Sequence, residues 1–403
     1  MSTSLLYHEF GIRGYRYQST ERLPGELVMR ISQPLERCRC SACGSAKVAS
    51  RGQQERSFRS LPIGRKRTTV VLPIPRVECL ECGLVRQVAV DFAEPRRRHT
   101  KAFARYALEL SRLTTIENVA KHLQISWDVI KEIQQQDLEK RFGKPKLKHL
   151  RWLAIDEISI GKGHQYLTVV LDLESGCVVF VGEGKGGDAL RSFWKRLRSS
   201  GAKIEAVATD MSPAYIAAVG ENLPHATLVF DRFHVIKLFN DKLSNLRREQ
   251  YRLATAADRK LLKGSRWLLL KRPDNLDDTK NESQRLQEAL AVNQPLATAY
   301  YLKELLNQVW EQDDEPDAHL LLMDWIALAE ASGVRMLIQF AKTLRQHAWG
   351  ILAYFDFPIS TGPLEGTNNK IKTMQRQAYG FRDHEFFKLK IYALHITKYE
   401  LVG

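Results

Sequence analysis

Residues 151–172 read RWLAIDEISIGKGHQYLTVVLD, of which QYLTVVLD is the second apolar run, and the turn ESG at 174–176 and CVVFVGEG at 177–184 follow. The texture is that of three consecutive strands, apolar and rich in β-branched residues. Asp156 lies in the middle of the first. A carboxylate in an otherwise apolar strand is costly to bury unless it is paired, exposed at a sheet end or bound to a metal. Asp172 and Glu174, by contrast, lie at a hairpin turn and are expected to face water. Cys177 opens its apolar run as a small buried hydrophobe.

Working outward, a helix is expected from Asp188 to Arg198, then the strand IEAVATD ending in Asp210 and a short helix after Ser212 and Pro213. The strand ATLVFD then leads into a longer helix. Three antiparallel strands followed by alternating helix and strand give an α/β mixed sheet of ribonuclease H-like order. Pairing of adjacent strands can bring Asp156 and Asp210 together, although Asp210 also suits a simple helix cap. A third carboxylate is expected from a later helix. In STGPLEGTNNKIKTMQRQAYGF, 360–381, Pro363 starts a helix and Glu365 lies in its first turn. Asn368, Asn369, Lys372 and Arg376 follow at offsets of three, four, seven and eleven and share its face. One acid among amides and cations is the composition of a site holding a metal beside a phosphate.

The first third of the chain has a different character. Of 61 Lys and Arg and 46 Asp and Glu, residues 1–150 hold 28 basic and 15 acidic side chains, against 33 and 31 in the remainder. A basic module attached to a nearly neutral body suits nucleic acid, or a merely solvated surface. Cys40 and Cys43 form one C-x-x-C followed by Gly44, and Cys79 and Cys82 a second followed by Gly83. Two such knuckles are what one tetrahedral four-cysteine zinc site requires, with free thiols or disulfides as the weaker readings. The β-rich segments RSFRSLPIG and RTTVVLPIPRVEC around Gly64 complete a zinc ribbon, in which Cys38 is a spare that competes with Cys40 as a ligand. After Arg96, Arg97 and Arg98, a helix is expected over 101–113. Thr115 and Ser126 then cap two short helices carrying Ile116, Val119, Ala120 and Leu123, and Val129, Ile130 and Ile133. This helix-turn-helix offers Trp127, Asp128 and Lys131 to a major groove. The segment GKPKLKHLR, 143–151, reads as a basic linker.

No apolar run is long enough to span a bilayer, and the N-terminus lacks the pattern of a signal peptide, so a cytoplasmic site is the default expectation, which the resemblance described next narrows to the bacterial nucleoid. The paired knuckles, AIDEISIGKGHQYLTVVLD, VATDMSPAY, DRFHVIK and GPLEGTNNKIKTMQRQAYGF together resemble the DDE transposases of bacterial insertion sequences, most closely the ISL-three (ISL3) family. The resemblance extends over most of the chain. It implies a ribonuclease H-like fold on which Asp156, Asp210 and Glu365 form the metal-binding acidic triad. It also pairs Glu365 with a basic residue seven positions on, Lys372. Asp231 and His234 match a D-x-x-H signature found after the second aspartate in related groups, implying an auxiliary role; a histidine at a strand-to-helix junction is equally often structural.

The domains expected are a zinc ribbon at 1–95, a helix-turn-helix at 96–142, a basic linker at 143–150 and the ribonuclease H-like core at 151–240 and 357–403. The 133 residues between Asp231 and Glu365 exceed what such a core needs, so 241–356 is expected to form a separate all-helical insertion. Its tryptophans 267, 310, 325 and 349 serve helix packing more often than DNA stacking. The chemistry expected is in-line cleavage and strand transfer with two magnesium or manganese ions per site, Asp156 bridging both. Arg96, Arg97, Arg98, Trp127, Lys131, Asn368, Asn369 and Arg376 are the candidate contacts to double-stranded DNA, the element's terminal inverted repeats and its target. Bringing two ends together calls for a homodimer or larger. The rival expectation is a non-catalytic regulator in which zinc ribbon and helix-turn-helix bind DNA and the acids only support the fold.

Overall fold

The computed structural model describes residues 5–161 and 163–395; Lys162 and both chain ends, including the last eight residues of the expected 357–403 segment, lie outside the described residues. The chain divides into two compact units. One holds the residues up to Gly143 with Met374–Leu389, and the other holds Lys144–Thr373 with the segment from Lys390.

In the first unit a short helix α1 (Leu5–His8) precedes strands β1 (Arg16–Leu23), β2 (Glu26–Ser32), β3 (Val48–Ile63), β4 (Lys66–Cys79) and β5 (Val85–Gln87). Their order is β1-β2-β4-β3, with β5 on β4. The β3–β4 hairpin turns at Gly64, whose φ of +57° is conformational space that glycine enters without a Cβ penalty. Phe58, Val70, Leu72, Ile74 and Val77 from this hairpin bury against Met29 and Ile31. Three helices follow, α2 (Lys101–Leu110), α3 (Ile116–Leu123) and α4 (Trp127–Phe142). Thr115 caps α3 by accepting from the Asn118 N–H, and Gln124 at φ +50° makes the tight turn. Ser126 holds the N-cap position of α4 without a side-chain cap bond. Val119, Ala120, Leu123, Ile130 and Ile133 close on Phe103 and Ala107, and Phe386, from the far end of the chain, completes the cluster. Residues 374–389 therefore pack with the helix-turn-helix, a departure from the expectation that 357–403 belongs wholly to the core.

In the second unit the expected linker is anchored, since Leu147 and Leu150 are buried in the unit's main core. Strands β6 (Trp152–Ser159), β7 (Tyr166–Asp172), β8 (Val178–Glu183), β9 (Ala206–Thr209) and β10 (Thr227–Phe230) form one sheet in the order β10-β9-β6-β7-β8. β6, β7 and β8 are antiparallel, β9 runs parallel to β6, and β10 parallel to β9. Helices α5 (Arg191–Ser200), α6 (Pro213–Asn222) and α7 (Arg232–Leu253) connect and follow these strands. The central strands are buried along nearly their whole length, as a sheet covered on both faces requires. Asp172 corrects its expectation: it is buried, accepting from the Glu174 and Ser175 N–H groups and the Ser175 hydroxyl to build the hairpin turn. Cys177 is only half-buried at that turn.

Beyond α7 come α8 (Ala256–Leu262), α9 (Ser265–Leu270), α10 (Glu282–Ala291), α11 (Gln294–Gln308), α12 (Glu315–Ala331) and α13 (Arg335–Leu352), then α14 (Gly362–Gln377) and α15 (His384–Ala393). The insertion is all-helical, as expected, but it is not separate. Phe230, Val235 and Phe239 share one continuous core with Trp325, Phe340 and Leu344. The physical reason is α7, a single 22-residue helix that starts at the sheet and runs into the insertion. Gly350 of α13 lets the backbone lie against the Phe230 ring, where a Cβ would stand 2.5 Å from it. Trp310 and Trp325 are buried packing residues, whereas Trp267 and Trp349 are more than half exposed.

Candidate active site

Strand register brings three acids to one level. Ala154 pairs with Ala208 across β6 and β9, and Phe230 with Thr209 across β10 and β9. Carried past the ladder ends, the same offsets set Asp156 beside Asp210 and Asp210 beside Asp231, on neighbouring parallel strands. Side chains at one level of parallel strands share a face, and the carboxyl ends of such strands are where α/β sheets bind ligands. Burial holds the Asp156 carboxyl above its ordinary value, and the charges of Asp210 and Glu157 push the same way against the pull of the Glu157 N–H and His234. Asp210 accepts from the Ser212 N–H at 3.0 Å, so it also shapes the turn into α6. Asp231, 3% exposed, caps α7 by accepting from the Phe233 N–H at 2.8 Å. Burial would raise its carboxyl, but bonds from His234, Thr361 and Phe233 outweigh that and hold it below the ordinary range.

The second half of the site arrives on α14, tied down at two points. The Thr361 N–H and hydroxyl both donate to Asp231 Oδ2, the first at 2.9 Å. One turn on, the Glu365 N–H donates to the Thr361 carbonyl at 2.8 Å. A further turn on, Asn368 Nδ2 donates to Asp156 Oδ2 at 2.8 Å. Offsets of four and seven put Thr361, Glu365 and Asn368 on one helical face, so the stripe that docks on the strand ends contains Glu365. Glu365 also lines a cavity of about 480 Å³ with Asp231, Arg232, Phe233 and Asn240. His234 Nδ1 stands 3.6 Å from Asp231 Oδ2 and 3.3 Å from the Thr361 hydroxyl. Burial would lower its pKa; the Asp231 bond and the charges of Asp156 and Asp210 reverse that and hold the imidazole above its ordinary value.

The oxygen-rich donor set suits a hard divalent cation. Carboxylates held in register leave negative charge for a cation to offset, and the Asn368 Oδ1 is buried with no hydrogen-bond partner. Asp156, Asp210 and Glu365 do not approach as closely as the cysteines do. Among the described residues, Cys40, Cys43, Cys79 and Cys82 are the group whose ligand atoms all lie within 4.8 Å of one another. Sulfur separations are 3.7 Å for Cys40–Cys82 and 3.5 Å for Cys43–Cys79. A tetrahedron with zinc–sulfur bonds of about 2.3 Å has edges of about 3.8 Å. Backbone N–H groups of Cys43 and Ala42 push the Cys40 thiol down to about 6, and those of Cys82 and Glu81 lower Cys79. Cys38 stands apart, buried in the ribbon core and donating to the Pro34 carbonyl at 3.6 Å.

The candidate DNA contacts separate into two groups. Arg96, Arg98, Trp127, Asn369, Lys372 and Arg376 are exposed. Each of the others is engaged within the fold. Arg97 is ion-paired with Glu132, Lys131 with Asp383 at 2.6 Å, and Asn368 is 5% exposed with its amide on Asp156. Sequence reading missed Thr361, whose only signal was a cap-forming residue ahead of Gly-Pro. It also missed Tyr215, whose hydroxyl links Thr168 to Glu157, both at 3.3 Å.

Three family models match consecutive regions. One described as a transposase covers 153–391, the helix-turn-helix domain of transposase family ISL3 covers 88–136, and a zinc finger of the IS204/IS1001/IS1096/IS1165 transposases covers 36–82. The chain is 33% identical over 391 residues to the transposase of insertion sequence IS1001 from Bordetella parapertussis, covering 95% of this chain and 96% of that protein. It is 31% identical to the IS1557 transposase of Mycobacterium tuberculosis, covering 85% and 82%. A Drosophila P element transposase strand transfer complex aligns over 66% of this chain and 80% of its own at 12% identity, with a TM-score of 0.31, too low to bear on the fold.

Proposed function

This chain belongs to the ISL3 family of insertion-sequence transposases, and we propose that it binds the terminal inverted repeats of its own element, cuts at the ends and joins them to target DNA through Asp156, Asp210 and Glu365. The observation that carries this reading is the in-register placement of Asp156 and Asp210, with Glu365 on the helix face tied to those strand ends. The sheet is read as ribonuclease H-like because its antiparallel trio is extended on the β6 side by two parallel strands. A non-catalytic regulator would have no use for acids gathered at one level of adjacent strands.

Asp156, Asp210 and Glu365 would hold magnesium or manganese, with Asp156 shared where two ions bind. Such cations supply Lewis acidity to the scissile phosphate and the leaving 3′ oxygen. In the first step water attacks in line, the P–O3′ bond breaks and a 3′ hydroxyl is left. In the second that hydroxyl attacks a target phosphodiester and a target 3′ oxygen departs. Burial works against protonation of His234, but the Asp231 bond and the neighbouring acid charges outweigh it and raise the imidazole's pKa, which favours positive charge beside the acids. Asp231 couples α7 to α14 and so fixes the level of Glu365. Lys372 and Arg376 hold backbone phosphates, carrying no sequence information. The ribbon, with one zinc ion on Cys40, Cys43, Cys79 and Cys82, and the helix-turn-helix read the repeats through Arg96, Arg98 and Trp127. Two ends require at least two copies of the chain. The proposed site of action is the bacterial nucleoid, and no helix among the described residues is long and apolar enough to cross a membrane.

The test is magnesium-dependent nicking and joining of DNA from the flanks of the gene. Asp156→Asn is expected to lower the rate at least ~10²-fold, the scale on which a single preorganised electrostatic group acts. Undiminished cleavage by this variant would refute the assignment.

A further inference from the structure

Asp156 is held by a neutral side chain from α14. Asn368 is 5% exposed, yet it lies on a helix whose neighbouring positions 369, 370, 372 and 373 all face solvent. Its Nδ2 donates to Asp156 Oδ2 at 2.8 Å. Its Oδ1 is buried with no hydrogen-bond partner. Leaving a buried amide oxygen unpaired costs about 1–3 kcal/mol, so a fold that merely needed to fill this volume is served better by an apolar residue. The amide orientation follows from chemistry: only its N–H₂ edge can face a carboxylate, which turns the oxygen edge away from Asp156 Oδ2. The second oxygen of Asp156 then remains for another partner.

We propose that Asn368 is a further residue of the cation site: its N–H₂ fixes the rotation of Asp156 so that one carboxylate oxygen is presented to the divalent ion, and its own Oδ1 supplies a neutral oxygen to that ion, directly or through a water. A neutral donor adds a ligand without adding a fourth negative charge to a cluster already crowded with carboxylates. Amide oxygens are ordinary ligands for hard cations, and partners that orient a ligand typically matter 10–100-fold in metal affinity. Asn368 acts on Asp156 as a positioning residue. This inference rests on the reading of Asp156, Asp210 and Glu365 as the cation site.

The experiment titrates Mn²⁺ into the full-length protein by calorimetry without DNA. It is repeated as the Mg²⁺ dependence of cleavage, with binding of end DNA by the zinc-loaded protein, without added Mg²⁺ or Mn²⁺, as a control. Asn368→Ala is expected to weaken Mn²⁺ binding about tenfold or more and to raise the Mg²⁺ needed for half-maximal cleavage by a similar factor, with DNA affinity unchanged. Asn368→Asp keeps shape and oxygen but places a like charge against Asp156. It is expected to retain Mn²⁺ binding while the acid limb of the pH–rate profile moves to higher pH. Should Asn368→Ala fail to fold, the isosteric Asp variant carries the test through that pH shift. If Asp156→Asn abolishes Mn²⁺ binding and cleavage while both Asn368 variants titrate like wild type, the inference on Asn368 is overturned and the triad stands. If Asp156→Asn itself binds Mn²⁺ and cleaves normally, the triad reading falls first.

Discussion

His234 stands 3.6 Å from Asp231 and feels the charges of Asp156, Asp210 and Asp231, so its protonation state reports on the electrostatics of all of them. Because its folded pKa is raised above the unfolded value of about 6.5, the charged imidazole contributes stability that is fully present below about pH 6.5. That contribution is lost as pH rises through the folded value. The stability difference between wild type and His234→Ala, followed by denaturant titration, is therefore expected to shrink as pH climbs above 6.5. A difference that grows with pH would mean that the imidazole is held neutral. Asp231→Asn is expected to move the His234 resonance in an NMR titration back toward its ordinary pKa. At this scale much was legible in advance. Asp156 stood out because an acid in an apolar strand demands an explanation, and Glu365 because a Gly-Pro start marks a helix. The burial of Asn368 against Asp156 was not legible, because helical spacing groups residues into a face but does not say which edge of that face docks.

The elements of the first unit differ in what holds them. The ribbon hairpin has its own small core, yet both knuckles end at exposed cysteines, Cys43 and Cys82, so the metal is expected to hold them together. Structural zinc sites contribute folding energy directly. Chelation or Cys79→Ser is expected to abolish cooperative unfolding of the ribbon and its DNA binding together, as circular dichroism and gel shift would show. Retention of both after complete zinc removal would contradict a metal-held ribbon. The helix-turn-helix borrows its core. Phe386→Ala should cost about 3–5 kcal/mol in the stability of that helical unit, since the ring is buried against helices more than 240 positions earlier in sequence. Caps and spacing made α3 and α4 readable from Thr115 and Ser126. The contribution of Phe386 was not readable, because periodicity within a segment carries no information about which distant segment covers it. In the second unit, Gly350→Ala drives a methyl group into the Phe230 ring, next to Asp231, and is expected to cost about 1–3 kcal/mol by thermal melting.

For the molecule as a whole, the insertion and the sheet behave as parts of one hydrophobic body. Leu322→Ala, deep in the insertion, should cost about 2–5 kcal/mol and raise hydrogen exchange in β6 and β7 as well as in α12. Protection lost in α12 alone would argue for independent folding. Sequence length suggested an addition at 241–356, but it could not reveal that α7 runs unbroken from the sheet into that segment. The charge distribution was legible and has a consequence of its own: with nearly all of the net +15 in the first 150 residues, DNA affinity should fall steeply with salt. What joins all these scales is whether the acids on β6, after β9 and on α14 serve one cation site. The most direct measurement is anomalous diffraction from crystals of the full-length protein with its end DNA and Mn²⁺. Manganese peaks within coordination distance of Asp156, Asp210 and Glu365 are expected; end DNA bound with those carboxylates metal-free, or manganese held elsewhere, would contradict the proposed chemistry.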